Sequence, residues 1–344
     1  MIRRTLRRFP AEWEWQDATL IAWPHAGTDW APWLADVEQC YVALARAVLA
    51  RQRLLVLVPT TELAERVEAM VGLVHGRAAE LVIYDYDDTW LRDSGPVTVH
   101  EGAKRIWLDF SFTGWGGKYA GSRDDALVRF LATAEPIADV RRERHEFALE
   151  GGAIETDGEG TLLSTWTCLS RRHPEKSRGE VEHLLAATLG VDRFLWLEQG
   201  ELSGDDTDAH IDTLARFAAR NAIVYQGCDD PTDPHYPALT AMADEIRAFT
   251  ARDGRAYRRY ALPFAPRIEA ADGRRLAASY ANFLIVNGAV LMPGYGVSTD
   301  AAAAAVLALA FPEREIVTVP CRPLIEQNGS LHCVTMQLTE GALR

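Results

Sequence analysis

The sequence predicts an α/β protein assembled from repeated strand–strand–helix–strand units. Three observations lead there. Short apolar runs of strand length alternate with longer helical stretches. Asn-Gly and Asp-Gly pairs sit between neighbouring runs, the signature of tight hairpins. The pattern recurs five times at a spacing of roughly 65 residues, longer than the common solenoid repeats. A doubly wound parallel sheet competes with this reading, but it would show cleaner strand–helix alternation and fewer hairpins.

In chain order, TLIAWP (19–24) leads to a helical stretch at 31–52 and then to the strand LLVLVP. GPVTV and RIWLDF precede a weaker helix at 124–133. GAIETDGEGTLLST is a hairpin around Asp157-Gly158, followed by a helix at 179–190 and the strand RFLWL. IDTLARF and NAIVYQG lead to a helix at 238–251 and then YRRYALPF. ANFLIV and AVLMP, joined by Asn287-Gly288, lead to an Ala-rich helix at 300–311 and then EIVTVP. Units repeated about an axis would bring several loops to one mouth, a setting for a polar site fed from distant parts of the chain.

Length alone, 344 residues, suggests about two domains. No low-complexity linker divides the chain, so residues 1–344 are expected to form one domain. The longest apolar run, at 301–311, is too short to span a bilayer. The basic start MIRRTLRRFP is followed by AEWEWQD rather than an apolar stretch, so a cytoplasmic protein with a basic surface tail is expected. The net charge of −13 argues against nucleic acid as partner and mildly favours a cationic small molecule. Five scattered cysteines, at 40, 168, 228, 321 and 333, show neither a disulfide framework nor zinc-type spacing.

Four segments carry candidate chemistry. DYDDTWLRDSGPVTV (85–99) clusters aspartates around Trp90, and a ring beside carboxylates suits an organic cation. Without such a role it is a solvated acidic loop with Asp93 capping a turn. In GDDTDAHIDTLARF (204–217), His210 and Asp212 would share a face if the segment were a strand. A metal site there is the minority reading, since no second His stands at ligand spacing. FALEGGAIETDGEG (147–160) sets Glu150 before paired glycines, which permit close backbone approach. A bulge with an exposed Glu is an equally good reading of it. GWGGKYAG (114–121) does not open a helix as a dinucleotide-binding loop would. Finally, QNGSLHCVTMQL (327–338) places His332 beside Cys333. As a strand, it would turn His332 to the reverse face, leaving the adjacency incidental.

Taken together, WLRDSGP, GWGGKY, EGGAIETDGEGTLLST, DDTDAHID, SYANFLIVNG and GSLHCVT resemble the agmatine deiminase family, related to bacterial-type peptidylarginine deiminases. They run in the family's order from about residue 85 to the C-terminus, and IAWPHAGTDW adds a weaker match. The resemblance implies a pentein: a five-bladed α/β propeller of ββαβ units with pseudo-fivefold symmetry. It implies hydrolysis of agmatine to N-carbamoylputrescine and ammonia through a covalent thiouronium, a step of putrescine biosynthesis, with no metal or cofactor. It assigns Cys333 as nucleophile, His210 as general acid and base, and Asp93 and Asp212 as the guanidinium grip. Glu150 would orient His210. Trp90, Trp115, Asp206, Asn282 and Gly329 form the substrate-binding set. A homodimer is the family expectation.

The chain departs from the agmatine pattern at Asp206, where a Glu is usual, in the run Gln327–Ser330, and in WPHAGTDW. Peptidyl or free arginine is therefore the alternative substrate, and free arginine would need a cationic clamp from Arg92, Lys118 or Arg123. A metal-dependent hydrolase using His210, Asp208 and Asp212, and a non-catalytic binding protein, are the remaining classes.

Overall fold

Five small β-sheets account for all the strands of the described residues, and each combines an antiparallel pair with a parallel one. The computed structural model describes residues 7–344. In one sheet Leu284–Val286 runs antiparallel to Ala289–Gly294, which pairs in parallel with Glu315–Pro320 across the helix Asp300–Ala310. Ile154–Thr156, Thr161–Thr165 and Arg193–Leu197 repeat the arrangement, as do Ala215–Ala219, Ala222–Gln226 and Arg258–Leu262. The sheet of Gln16–Ala22, Arg53–Val58 and Glu80–Ile83 receives its antiparallel strand, Thr335–Thr339, from the other end of the chain. That pairing ties the Cys333 segment to the N-terminal strand.

Local chemistry sets the joints. Gly288 takes φ +76° in the turn after Asn287, a conformation that costs glycine little. The helix Arg178–Leu189 begins at a capping box, with Ser177 and Glu180 satisfying each other's backbone amides, and ends on left-handed Gly190. Among the other expected helices, 238–251 is realised as Tyr236–Ala248. The stretch 31–52 divides into a short 3-10 turn at Ala31–Trp33 and Leu34–Leu49. The weaker one breaks into Ser122–Asp125 and Leu127–Leu131.

Two strand assignments need correction, and both concern the site. Residues 331–334 form a turn, and the strand begins only at Thr335. The Asn282 carboxamide oxygen accepts from both the His332 and Cys333 amides, at 2.9 and 3.3 Å, replacing a ladder partner. Likewise Ile211–Thr213 is a single 3-10 turn with His210 just before it, and the strand starts at Ala215. There the Thr213 hydroxyl donates to the His210 carbonyl at 2.9 Å and tightens the chain.

The expected basic tail lies partly outside the described residues, at 1–6. Arg7–Arg8 is not a tail: it pairs as a strand with His100 and Glu101, and Arg7 bonds Glu101 at 2.7 Å. No helix among the described residues is long and apolar enough to cross a membrane.

A buried ionic cluster joins the parts that carry the site. Glu12 accepts from Arg216 Nη2 at 2.8 Å, His332 Nε2 at 2.7 Å and the Ile285 amide at 2.7 Å. Arg216 is wholly buried, also bonds Glu155, and donates to the Phe283 carbonyl at 2.7 Å. Burial pushes the Glu12 carboxyl up, but Arg216 and His332 outweigh it and hold the pKa well below the usual range. Removing one member of such a cluster strands a buried charge. Glu12→Ala is therefore expected to lose about 3–5 kcal/mol of unfolding free energy in urea titration.

Candidate active site

A cavity of ≈ 320 Å³ opens where several loops meet. Its walls are aromatic (Trp33, Trp90, Trp115, Tyr119) and acidic (Asp29, Asp88, Asp93, Asp206, Glu326). Among the described residues no Lys or Arg lines it, and Cys333 meets it with 5% exposure.

The acidic wall is built by turns. Asp93 sits in a one-turn helix, Leu91–Ser94. Its Oδ2 accepts from the Trp115 indole at 2.9 Å and its Oδ1 from the Gly152 amide at 3.1 Å. The glycines around Trp115 serve a backbone need. Trp115 itself is left-handed (φ +55°), as are Gly114, Gly116 and Gly117. A Cβ on Gly114 would lie 2.1 Å from the Tyr119 carbonyl oxygen. Gly329 lies against the Trp90 ring, where a Cβ would come within 2.2 Å. Asp206 accepts from the Tyr119 hydroxyl at 2.8 Å and from Asn328 Nδ2 at 3.0 Å.

Behind the wall lie the other expected residues, all buried. Cys333 Sγ is 3.7 Å from Asp212 Oδ2 and accepts from Asn282 Nδ2 at 3.2 Å. Asn282 does not line the cavity; it braces the cysteine turn. His210 lies between two carboxylates, with Nδ1 3.6 Å from Asp93 Oδ1 and Nε2 3.7 Å from Glu150 Oε2. Gly152 makes this convergence possible. A Cβ there would fall 2.7 Å from His210 Nδ1, 2.8 Å from Asp93 Oδ1 and 3.2 Å from Asp212 Oδ2. Glu150 is buried, not the exposed residue of a bulge.

The segment before His210 is held under strain. Asp208 and Ala209 both adopt φ +69°. Asp205 accepts from the Thr207 and Ala209 amides, and Arg172 donates to the Thr207 carbonyl at 3.0 Å. Asp208 is taken by Arg171, Arg172 and Lys118, so the set His210, Asp208 and Asp212 does not assemble as metal ligands.

Electrostatics separate these groups. Burial lifts the Asp93 carboxyl to about 6, against the pull of His210. Asp212 is equally buried, yet His332 donates to it at 2.8 Å and brings its pKa below the ordinary value. Burial alone would lower the His210 pKa, but Asp93 and then Cys168 outweigh it and raise it well above the usual value. Burial, followed by Asp212 and Asp93, pushes the Cys333 thiol well up.

A buried thiol beside a paired-carboxylate site, formed by chain segments in this order, is decisive when set beside known proteins. The match to the Porphyromonas-type peptidyl-arginine deiminase model covers residues 8–338. The chain belongs to that family. The agmatine deiminase of Stutzerimonas stutzeri is 33% identical, over 95% of this chain and 94% of its own. A C. jejuni agmatine deiminase structure is 32% identical with TM-score 0.89, covering 98% of each chain. A Porphyromonas gingivalis structure, provisionally named an arginine deiminase, is 44% identical with TM-score 0.92, covering 98% and 100%. The mixed α/β fold is the one these deiminases share.

Some functional neighbours escaped the sequence. His332 is not incidental: it bridges Asp212 to Glu12. Only the turn at 331–334 permits this, and strand alternation hid it. Arg172 bonds Glu150 Oε1 at 2.7 Å, and Cys168 lies against His210 and Glu150. Neither has a local pattern that would mark it. The proposed carboxylate clamps are engaged elsewhere: Arg92 with Gln337, Lys118 with Asp208, Arg123 with Asp87.

Asp93 is the largest influence raising the His210 pKa. Asp93→Asn should therefore lower the imidazole pKa in an NMR titration; an unchanged value would show that the two do not interact.

Proposed function

We propose that this protein hydrolyses the guanidinium of agmatine to a ureido group, releasing N-carbamoylputrescine and ammonia. The observation that carries the reading is a buried thiol with two buried carboxylates, Asp93 and Asp212, beside a cavity with an acidic wall and no Lys or Arg among its described lining residues. A guanidinium is planar and always charged, and pairs with carboxylates through two parallel hydrogen bonds. Agmatine carries a second positive charge at its amine, which the acidic wall accepts. The carboxylate of free arginine would meet like charge there, since Lys118, beside Asp206, is held by Asp208. Asp206, fixed by Tyr119 and Asn328, is the proposed partner of the distal amine.

In the proposed cycle, a guanidinium held between Asp93 and Asp212 offsets the negative charge that keeps the Cys333 thiol protonated. The thiol proton passes to solvent, and the thiolate attacks the central guanidinium carbon. His210, already protonated between its two carboxylates, gives a proton to the departing ammonia, leaving the thiouronium on Cys333. His210 then takes a proton from water as it attacks that carbon. The C–S bond breaks as the remaining hydroxyl proton passes to the departing sulfur, restoring the thiol and releasing the ureido product. Glu150, held by Arg172, keeps the imidazole in place. Asn282 steadies the sulfur rather than touching substrate. Trp90, with Gly329 flat against it, walls the alkyl chain.

The same reading takes the five sheets as blades of one pentein propeller spanning residues 1–344, supported by the last strand joining the first sheet. Five free cysteines support a reducing, cytoplasmic setting. A homodimer is proposed on the exposed Trp15.

Incubation with agmatine, arginine, a peptidyl arginine and methylated guanidines tests the reading. Agmatine is expected to be turned over best, with Cys333→Ala inactive; no turnover of any guanidine would end it. Asp206→Asn should raise KM for agmatine about tenfold with a smaller change in kcat, the pattern of lost ground-state binding. The Asp93 carboxylate must be ionised to hold a cation, and its pKa is raised to about 6. The acid limb of kcat/KM should therefore fall as pH drops through about 6. Trp115→Phe removes a bond that favours the carboxylate and should move that limb to higher pH.

A further inference from the structure

Cys168 takes no part in the cycle above, yet it is wholly buried against His210. It lies on the helix Trp166–Arg172, whose last residue, Arg172, grips Glu150 Oε1 at 2.7 Å. That grip leaves Oε2 facing the imidazole. Glu150 Oε2 and His210 Nε2 are both buried, 3.7 Å apart, and neither has a hydrogen-bond partner among the described residues. The donor atoms of Cys168, Glu150 and His210 all lie within 4.8 Å of one another.

We propose that Cys168, His210 and Glu150 form an inhibitory site for a thiophilic divalent cation of the Zn2+ class, at the imidazole nitrogen turned away from Asp93. Thiolate, imidazole and carboxylate together suit a borderline-soft ion. Zinc bonds of about 2.0–2.3 Å in a tetrahedron place ligand atoms roughly 3.5 Å apart, so small side-chain rotations complete the site. Asp93, facing Nδ1, would be the outer carboxylate that fixes the imidazole tautomer. Binding displaces one proton from the Cys168 thiol and one from His210 Nε2 to solvent. The charge of Arg172, which opposes a cation here, is shared with Asp208 at 2.6 Å. The inhibitory consequence rests on the deiminase reading: an ion on Nε2 takes the lone pair that the second proton of the imidazolium needs, so Nδ1, which faces Asp93, can no longer give up its proton and leave a neutral ring. The cation site itself does not rest on it.

Co2+ alone, then competing Zn2+, is added to the wild type, Cys168→Ser and Cys333→Ser. The expected result is a stoichiometric thiolate-to-cobalt charge-transfer band in the wild type and Cys333→Ser, absent in Cys168→Ser and displaced by Zn2+. Zn2+ inhibition of agmatine hydrolysis should weaken at least about tenfold in Cys168→Ser. A band lost in Cys333→Ser, kept in Cys168→Ser, or seen in neither the wild type nor Cys333→Ser overturns the proposal. If Cys168→Ser does not fold, Glu150→Gln replaces it: weakened cobalt binding supports the site and unchanged binding overturns it. The band is read without substrate, so its absence leaves the deiminase reading standing, and absent turnover leaves the band to be judged alone.

Discussion

Two carboxylates and a thiol share one buried site, and the rest of the structure accommodates the repulsion this creates. Burying an ionised carboxylate costs several kcal/mol unless it is paired. Asp212 is paired, through His332 to Glu12 and on to Arg216. Among the described residues Asp93 receives only neutral donors, the Trp115 indole and the Gly152 amide, besides His210 at 3.6 Å. One carboxyl therefore lies below its ordinary pKa and the other above it. On the proposed reading the missing charge is that of the substrate: a guanidinium would pair with Asp93, and the thiol would ionise with that cation in place.

The ionic cluster at Glu12 gives this site its rigidity. Its members come from the N-terminal segment, from three sheets and from the cysteine turn. Catalytic groups on turns tolerate little displacement, and strained positions such as Asp208 and Ala209 persist only when the surroundings over-determine them. Arg172 and Asp205 do so at this point.

Hairpins and helices were readable because Asn287-Gly288, Asp157-Gly158 and helical apolar spacing act locally. The repeat count followed, and the five sheets bear it out. The site residues Cys333, His210, Asp93, Asp212 and Glu150 were named from motifs resembling a known family, and they do converge. Their geometry was not readable. Both the His210 and Cys333 segments look like strands because alternation ignores a side chain such as Asn282 that replaces a backbone partner. Glu12, Arg172 and Cys168 were invisible for a related reason: each acts across a long sequence separation, with nothing local to mark it.

On the proposed reading the Cys333 thiol stays protonated until a cation lies between Asp93 and Asp212. Thiolate absorption, taken as the difference between wild type and Cys333→Ser across pH, measures this directly. In the free protein an inflection above the ordinary thiol value of about 8.5 is expected, moving down when guanidinium ion is added. An inflection at or below that value in the free protein, or one indifferent to guanidinium, would contradict it.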